Sequence, residues 1–197
     1  MNKDWNTGWL DVTYPIFEGS VGWPGQPPIN FEPLSHIHCG DQARVTVAHF
    51  SVHSNTHMDA PNHFMAEGID ISQFPIEVGM GPTRIAHVHP EKEITPADIE
   101  AYEKRTQPIE AGERIVFRSQ NSDRFWPAEP FDYAYIGIGP EAAEWLADRK
   151  VMLAGVDYLS VGQYDTTPLT HRSLLTANIW IIEGLDLRKI EEGDYEM

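Results

Sequence analysis

The segment His53-Ser54-Asn55-Thr56-His57-Met58-Asp59-Ala60-Pro61-Asn62-His63-Phe64 gathers three imidazoles and one carboxylate within eleven positions. Imidazole and carboxylate together form the ligand set of zinc, manganese or iron. The pattern His-x-x-x-His-x-Asp offers three such groups, His53, His57 and Asp59, that one tight turn can bring to a point. Pro61 forbids a helix through the whole segment, so a loop following a strand is expected, which is where rigid scaffolds place their chemistry. A lone loop histidine would more readily be solvated; four metal-competent groups together are harder to explain that way.

A second patch lies far along the chain. Thr170-His171-Arg172-Ser173-Leu174-Leu175 opens a helix, and Ile179-Trp180-Ile181-Ile182-Glu183 ends an apolar run on a carboxylate. Charge at the end of a buried strand is costly unless paired or bound to a cation. Glu183 therefore lies just past the sheet in water or has a partner, of which a metal is one. Gly22-Trp23-Pro24-Gly25-Gln26-Pro27-Pro28 is a proline-stiffened loop presenting one indole. Trp23 either walls a pocket or closes the core. Arg118, Ser119, Gln120 and Asn121 either hold the polar end of a substrate or are ordinary loop. His36 and His38, near Cys39, match no metal spacing and read as surface groups.

The elements that must position these residues follow from periodicity and turn chemistry. Strands are expected at 9–16, 29–31, 44–52, 82–88, 114–119, 133–138, 151–156 and 179–185. Helices are expected at 70–74, stopped by Pro75; from the Thr95 cap through Lys104; at 141–149; and at 171–177, capped by Thr170. Strands outnumber helices and come both in succession and in alternation with them, which fits an α/β fold of mixed α+β type, one domain over residues 1–197.

Thirty acidic side chains against 14 basic ones give a net charge of −16, which argues against a nucleic-acid partner. No apolar run approaches the ~20 residues of a membrane span. The stretch from Met1 to Asp11 has neither a basic nor an apolar targeting region, so a cytoplasmic location is expected. With one cysteine, the chain builds no internal disulfide and no cysteine-rich zinc site. Its 41% hydrophobic residues must supply a core unaided.

The chain resembles the metal-dependent cyclase family that includes bacterial kynurenine formamidase, isatin hydrolase and related amide and lactone hydrolases. Residues 53–64 match the family signature His-x-Gly-Thr-His-x-Asp-x-Pro-x-His-Phe except at Asn55, where the family usually has Gly; Asn is the next residue to tolerate a left-handed backbone. Asp11 with Pro15, Trp23-Pro24-Gly25, Gly155-Val156-Asp157 with Ser160, and His171-Arg172 with Ile182 to Leu187 are similar to further family segments.

The resemblance implies a swivelling β/β/α fold. It also implies His53, His57 and Asp59 on one divalent metal with Asp59 also reaching a second, His171 and Glu183 completing the site with Glu183 bridging, and His63 as acid/base. One or two ions are expected, zinc first and manganese as the alternative. The expected activity is arylformamidase, converting N-formyl-L-kynurenine to L-kynurenine and formate, with Trp23 against the aromatic ring. Hydrolysis of another lactam or lactone, or silent small-molecule binding on the same fold, are the alternatives. Family members commonly assemble as homodimers or homotetramers and usually continue past the equivalent of Gly193 to Glu196 into a last strand, so an early end affecting packing or oligomerisation is expected here. A small-molecule partner, and neither nucleic acid nor membrane, completes the expectation.

Overall fold

The computed structural model describes residues 8–197; residues 1–7, part of the stretch read for targeting signals, lie outside the described residues. A two-stranded antiparallel ribbon, β1 (Asn30–Ser35) and β2 (Val45–His49), precedes a six-stranded mixed sheet. The sheet contains β3 (His57–Asp59), β4 (Pro82–His87), β5 (Arg114–Arg118), β6 (Leu153–Val156), β7 (Trp180–Glu183) and β8 (Gly193–Glu196). Its order is β3-β7-β6-β5-β4-β8, parallel across the four central strands and antiparallel at both edges. The parallel steps need crossovers, which α1 (Pro96–Arg105), α2 (Pro140–Arg149) and α3 (Thr167–Thr176) supply. The result is the expected mixed α+β architecture.

One sheet face packs against all three helices through Phe117, Ala154, Ile181, Ile99, Leu146 and Leu174. The other face, carrying Ile85, Val116 and Leu153, is covered by Leu185, Leu187 and Ile190. Helix α1 starts where its sequence dictates: the Thr95 side chain accepts from Asp98 N, and the Asp98 carboxylate accepts from Thr95 N at 2.8 Å.

Several expected boundaries move. Residues 9–16 form no strand beyond an isolated bridge from Thr13 to Leu185; their backbone groups bond elsewhere, Val12 O accepting from Asp186 N and Tyr14 N donating to Thr56 Oγ1. Residues 133–138 also form no strand beyond isolated bridges from Ile138 to Ile94 and Gly162. There the Asn121 side chain does a neighbouring strand's work, donating to Ile136 O at 2.8 Å and accepting from Ile136 N at 3.0 Å. The 70–74 segment is a short 3₁₀ turn, Ile71–Gln73, capped by Asp70. Helix α3 begins at Thr167, with Thr166 rather than Thr170 as its N-cap, because Pro168 in the first turn presets helical φ. Residues Gly193–Glu196 are themselves an edge strand, pairing antiparallel with β4. Among the described residues no helix is long and apolar enough to cross a membrane.

Candidate metal centre

The histidine-rich stretch is a short edge strand rather than a loop throughout. Side chains alternate across a sheet, so His57 and Asp59 share one face while Met58 turns to the opposite core. Register with β7 sets His57 directly across from Glu183, which joins the two distant sequence patches by one cross-strand pair. Asn55 precedes the strand at φ 51°, the left-handed conformation that its substitution for Gly requires, and its Nδ2 donates to Pro15 O. Gly184 follows Glu183 at φ 69°; a Cβ there would lie 2.0 Å from Asn55 O. His63 ends the 3₁₀ turn Pro61–His63, and His171 lies on the buried face of α3.

These side chains converge. His53 Nδ1 lies 2.8 Å from Asp59 Oδ1, and His57 Nε2 is 3.6 Å from that oxygen and 3.1 Å from Glu183 Oε2. His171 Nε2 is 3.2 Å from Asp59 Oδ2 and 3.1 Å from Glu183 Oε1, while His63 Nε2 stands at 3.8 Å from Asp59 Oδ2. Both Asp59 oxygens, His53 Nδ1 and His57 Nε2 are buried without a properly directed hydrogen bond. Close, desolvated and unpaired, they are aimed at shared points rather than at one another, an arrangement a cation satisfies. Two trios have ligand atoms within 4.8 Å of each other: His53, His57 and Asp59, and Asp59, His63 and His171. The donor set therefore fits a divalent metal.

The tautomers fit as well. His57 Nδ1 donates to Asn55 O at 3.1 Å and His171 Nδ1 to Thr167 O at 2.8 Å, so each neutral ring turns an Nε2 lone pair inward. Burial opposes protonation of His171, but the Asp59 and Glu183 carboxylates push its pKa up to about 10. His57 is raised against burial by the same two acids. Burial alone would raise the Asp59 pKa; the imidazoles of His171 and His53 hold it well below the usual carboxylate range. Glu183 is lowered despite its burial and the repulsion from Asp59. The centre draws positive charge, as protons or as a cation. His63 differs: burial lowers its pKa, and part of its ring faces solvent.

A cavity of about 550 Å³ opens beside the cluster, lined by Trp23, His53, His63, Ser160, His171 and Glu183 among others. The Trp23 indole is half-buried, stacked on Tyr164 at 5.3 Å and edge-on to Phe131 at 5.4 Å, so it walls the cavity and packs the aromatic cluster at once. Arg118, Ser119, Gln120 and Asn121 do not line this cavity. They tie loops together, Arg118 Nε donating to Leu187 O and Gln120 Nε2 to Pro90 O. Ser119 and Asn121 instead donate to Asp157, a buried acid to which sequence reasoning gave no role. The signal was available, because Asp157 directly follows an apolar strand just as Glu183 ends one. His36, His38 and Cys39 are apart from the centre at the exposed tip of the β1–β2 ribbon.

A mixed sheet carrying buried imidazoles and carboxylates that converge beside a cavity has the make-up of a divalent-metal centre. The Cyclase family profile matches residues 10–163, and the chain belongs to that family. It is 30% identical over 190 residues to the kynurenine formamidase of Bacillus anthracis, covering 96% of this chain and 87% of that protein. A solved structure described as a potential metal-dependent hydrolase with cyclase activity superposes with a TM-score of 0.80 at 28% identity, covering 95% of this chain and 86% of the other. Isatin hydrolase A from Labrenzia aggregata, bound to benzyl benzoate, shares the fold at a TM-score of 0.73 and 20% identity, over 89% of this chain and 79% of that one.

Proposed function

We propose that this chain, as one catalytic domain over residues 1–197, is an arylformamidase that converts N-formyl-L-kynurenine to L-kynurenine and formate. The enzyme is a hydrolase of C–N bonds other than peptide bonds. The observation that carries the reading is the pair of buried carboxylates, Asp59 and Glu183, faced by His53, His57 and His171 at the floor of a cavity whose wall is an indole. The kinship with kynurenine formamidase supports the substrate.

His53, His57 and Asp59 would hold one ion, and Asp59, His171 and Glu183 a second; zinc suits the donors, with manganese as the alternative. A divalent cation held there supplies Lewis acidity that polarises a carbonyl and lowers the pKa of water to about 7. Trp23 stacks on the aryl ring and orients it. His63, at the cavity edge and outside the first trio, takes the proton from the attacking water and gives it to the departing nitrogen as the C–N bond breaks. A homodimer or homotetramer in the cytoplasm is the assembly this reading carries. The exposed Leu34, Ile37 and Val45 of the β1–β2 ribbon support a second copy as partner.

The test is turnover of N-formyl-L-kynurenine, a lactam and a lactone by the purified protein as isolated, after chelation, and after zinc or manganese is returned. Chelator-sensitive formamide turnover, restored by metal, is expected. Turnover of only the lactam or lactone replaces the substrate, and metal binding without turnover of any of them makes the chain a binding protein.

A further inference from the structure

Two hydroxyls, Ser160 and Thr167, line the cavity beside Glu183 and have no part in the chemistry above. Their protons can be assigned. Thr167 Oγ1 lies 2.9 Å from Gly162 O, and a carbonyl only accepts, so the single Thr167 hydroxyl proton is committed there. Ser160 Oγ lies 2.9 Å from Thr167 Oγ1. Thr167 has no second proton, so Ser160 is the donor in that pair. The Tyr135 hydroxyl is likewise spent on Gly162 O. The Tyr135 oxygen is then a second acceptor within reach of Ser160, so the Ser160 proton is spent inside the protein on Thr167 or Tyr135 and Ser160 Oγ turns lone pairs to the cavity.

The pair is rigidly placed at the cluster end of the cavity. Val161 N, the next amide after Ser160, donates to Glu183 Oε1 at 2.5 Å, and Thr167 O accepts from His171 Nδ1 at 2.8 Å. A Cβ on Gly162 would sit 2.8 Å from Thr167 Cα, so loop and helix touch backbone to backbone.

We propose that Ser160 is a specificity-determining residue that accepts a hydrogen bond from the N–H of the scissile secondary amide, so that the site selects amides over esters of the same shape. This rests on the amide-hydrolase reading and adds which linking atom the site accepts. An amide nitrogen offers Ser160 the proton it lacks; an ester oxygen sets lone pairs against lone pairs. With its N–H turned to Ser160, the departing nitrogen keeps the lone pair that develops as the C–N bond breaks free for the proton from His63, which lines the same cavity.

The experiment compares kcat/KM for formanilide and phenyl formate, with metal content measured on the same samples, in the parent, Ser160→Ala and the double variant Thr167→Val with Tyr135→Phe. Ser160→Ala is expected to cost about tenfold on the formanilide and less than about twofold on the ester. The double variant keeps Ser160 but removes both acceptors and releases its proton toward the cavity. The amide-over-ester preference should then fall as far as in Ser160→Ala, with the ester gaining. Equal losses on both substrates, loss of metal in Ser160→Ala, or an unchanged preference in the double variant each overturn the assignment. A parent that hydrolyses neither compound sinks the amide-hydrolase reading itself, whereas a parent active on formanilide whose preference survives in both variants sinks only the role of Ser160.

Discussion

Asp59 and Asp157 are both buried carboxylates at strand ends, and their surroundings are opposite. Asp157 Oδ2 accepts from Ser119 N, Ser122 N and Ser122 Oγ, and its Oδ1 from Ser119 Oγ and Asn121 Nδ2. Burial pushes its carboxyl up, and these donors pull the other way without fully offsetting it. Among the described residues Asp59 has imidazoles around it, no backbone donor, and two oxygens without a directed bond. The first acid fixes a loop; the second is held ready for a charge from outside. What a buried acid lacks says more about its task than how deeply it lies.

The largest expected effect comes from removing the charge of Asp59. Asp59→Asn should abolish metal binding and lower turnover by about 10³-fold or more, with the melting temperature of the metal-free protein little changed. Metal analysis and calorimetry check this, and an Asp59→Asn protein that keeps its metal would dissolve the contrast between the two acids. His63→Ala should retain metal and lose about 10²–10⁴ in kcat, the range for proton transfer. Parallel loss of metal would instead make His63 a ligand, as its place in the second trio allows. Asp157→Asn should do the reverse of Asp59→Asn. Its amide group would meet donors, so urea denaturation should show a loss of about 1–3 kcal/mol while metal stoichiometry is kept. The smallest effect belongs to Trp23→Ala, which touches neither acid: loss of stacking worth about 0.5–1.5 kcal/mol should raise KM for an aryl formamide several-fold. Its contacts to Tyr164 and Phe131 add a modest fall in melting temperature.

Where a local rule decides the outcome, the sequence was legible. The Thr95-Pro96-Ala97-Asp98 cap gives α1, and the apolar runs give β5, β6 and β7 close to their true bounds. Where tertiary partners decide, it was not. Strand β3 has only three residues and exists because β7 lies beside it, and β8 is a polar edge with no alternation to announce it. The 133–138 run looks like a strand, but Ile136 bonds to an asparagine side chain and only Ile138 makes isolated bridges, to Ile94 and Gly162. The local half of the centre was readable from spacing, whereas the strand-end carboxylate left Glu183 either in water or partnered, and its register across from His57 decides for a partner. Ser160 stood out in sequence only as part of the Gly155-Val156-Asp157 segment, and its pairing with Thr167 did not, because its meaning lies in which proton goes where.

The contact between Gly184 and Asn55 O sets a limit on how this chain can diverge. The two positions belong to distant halves of the centre, yet they meet through backbone, and a single methyl at 184 has no room. A ligand can be traded for another donor in one mutational step, histidine for carboxylate. Replacing Gly184 requires the backbone at 55 to retreat as well, and the intermediate with only one change displaces His57 from Glu183. In a saturation library the plain glycine should therefore be less replaceable than the histidines around it, and a lineage that loses it must rebuild both halves together.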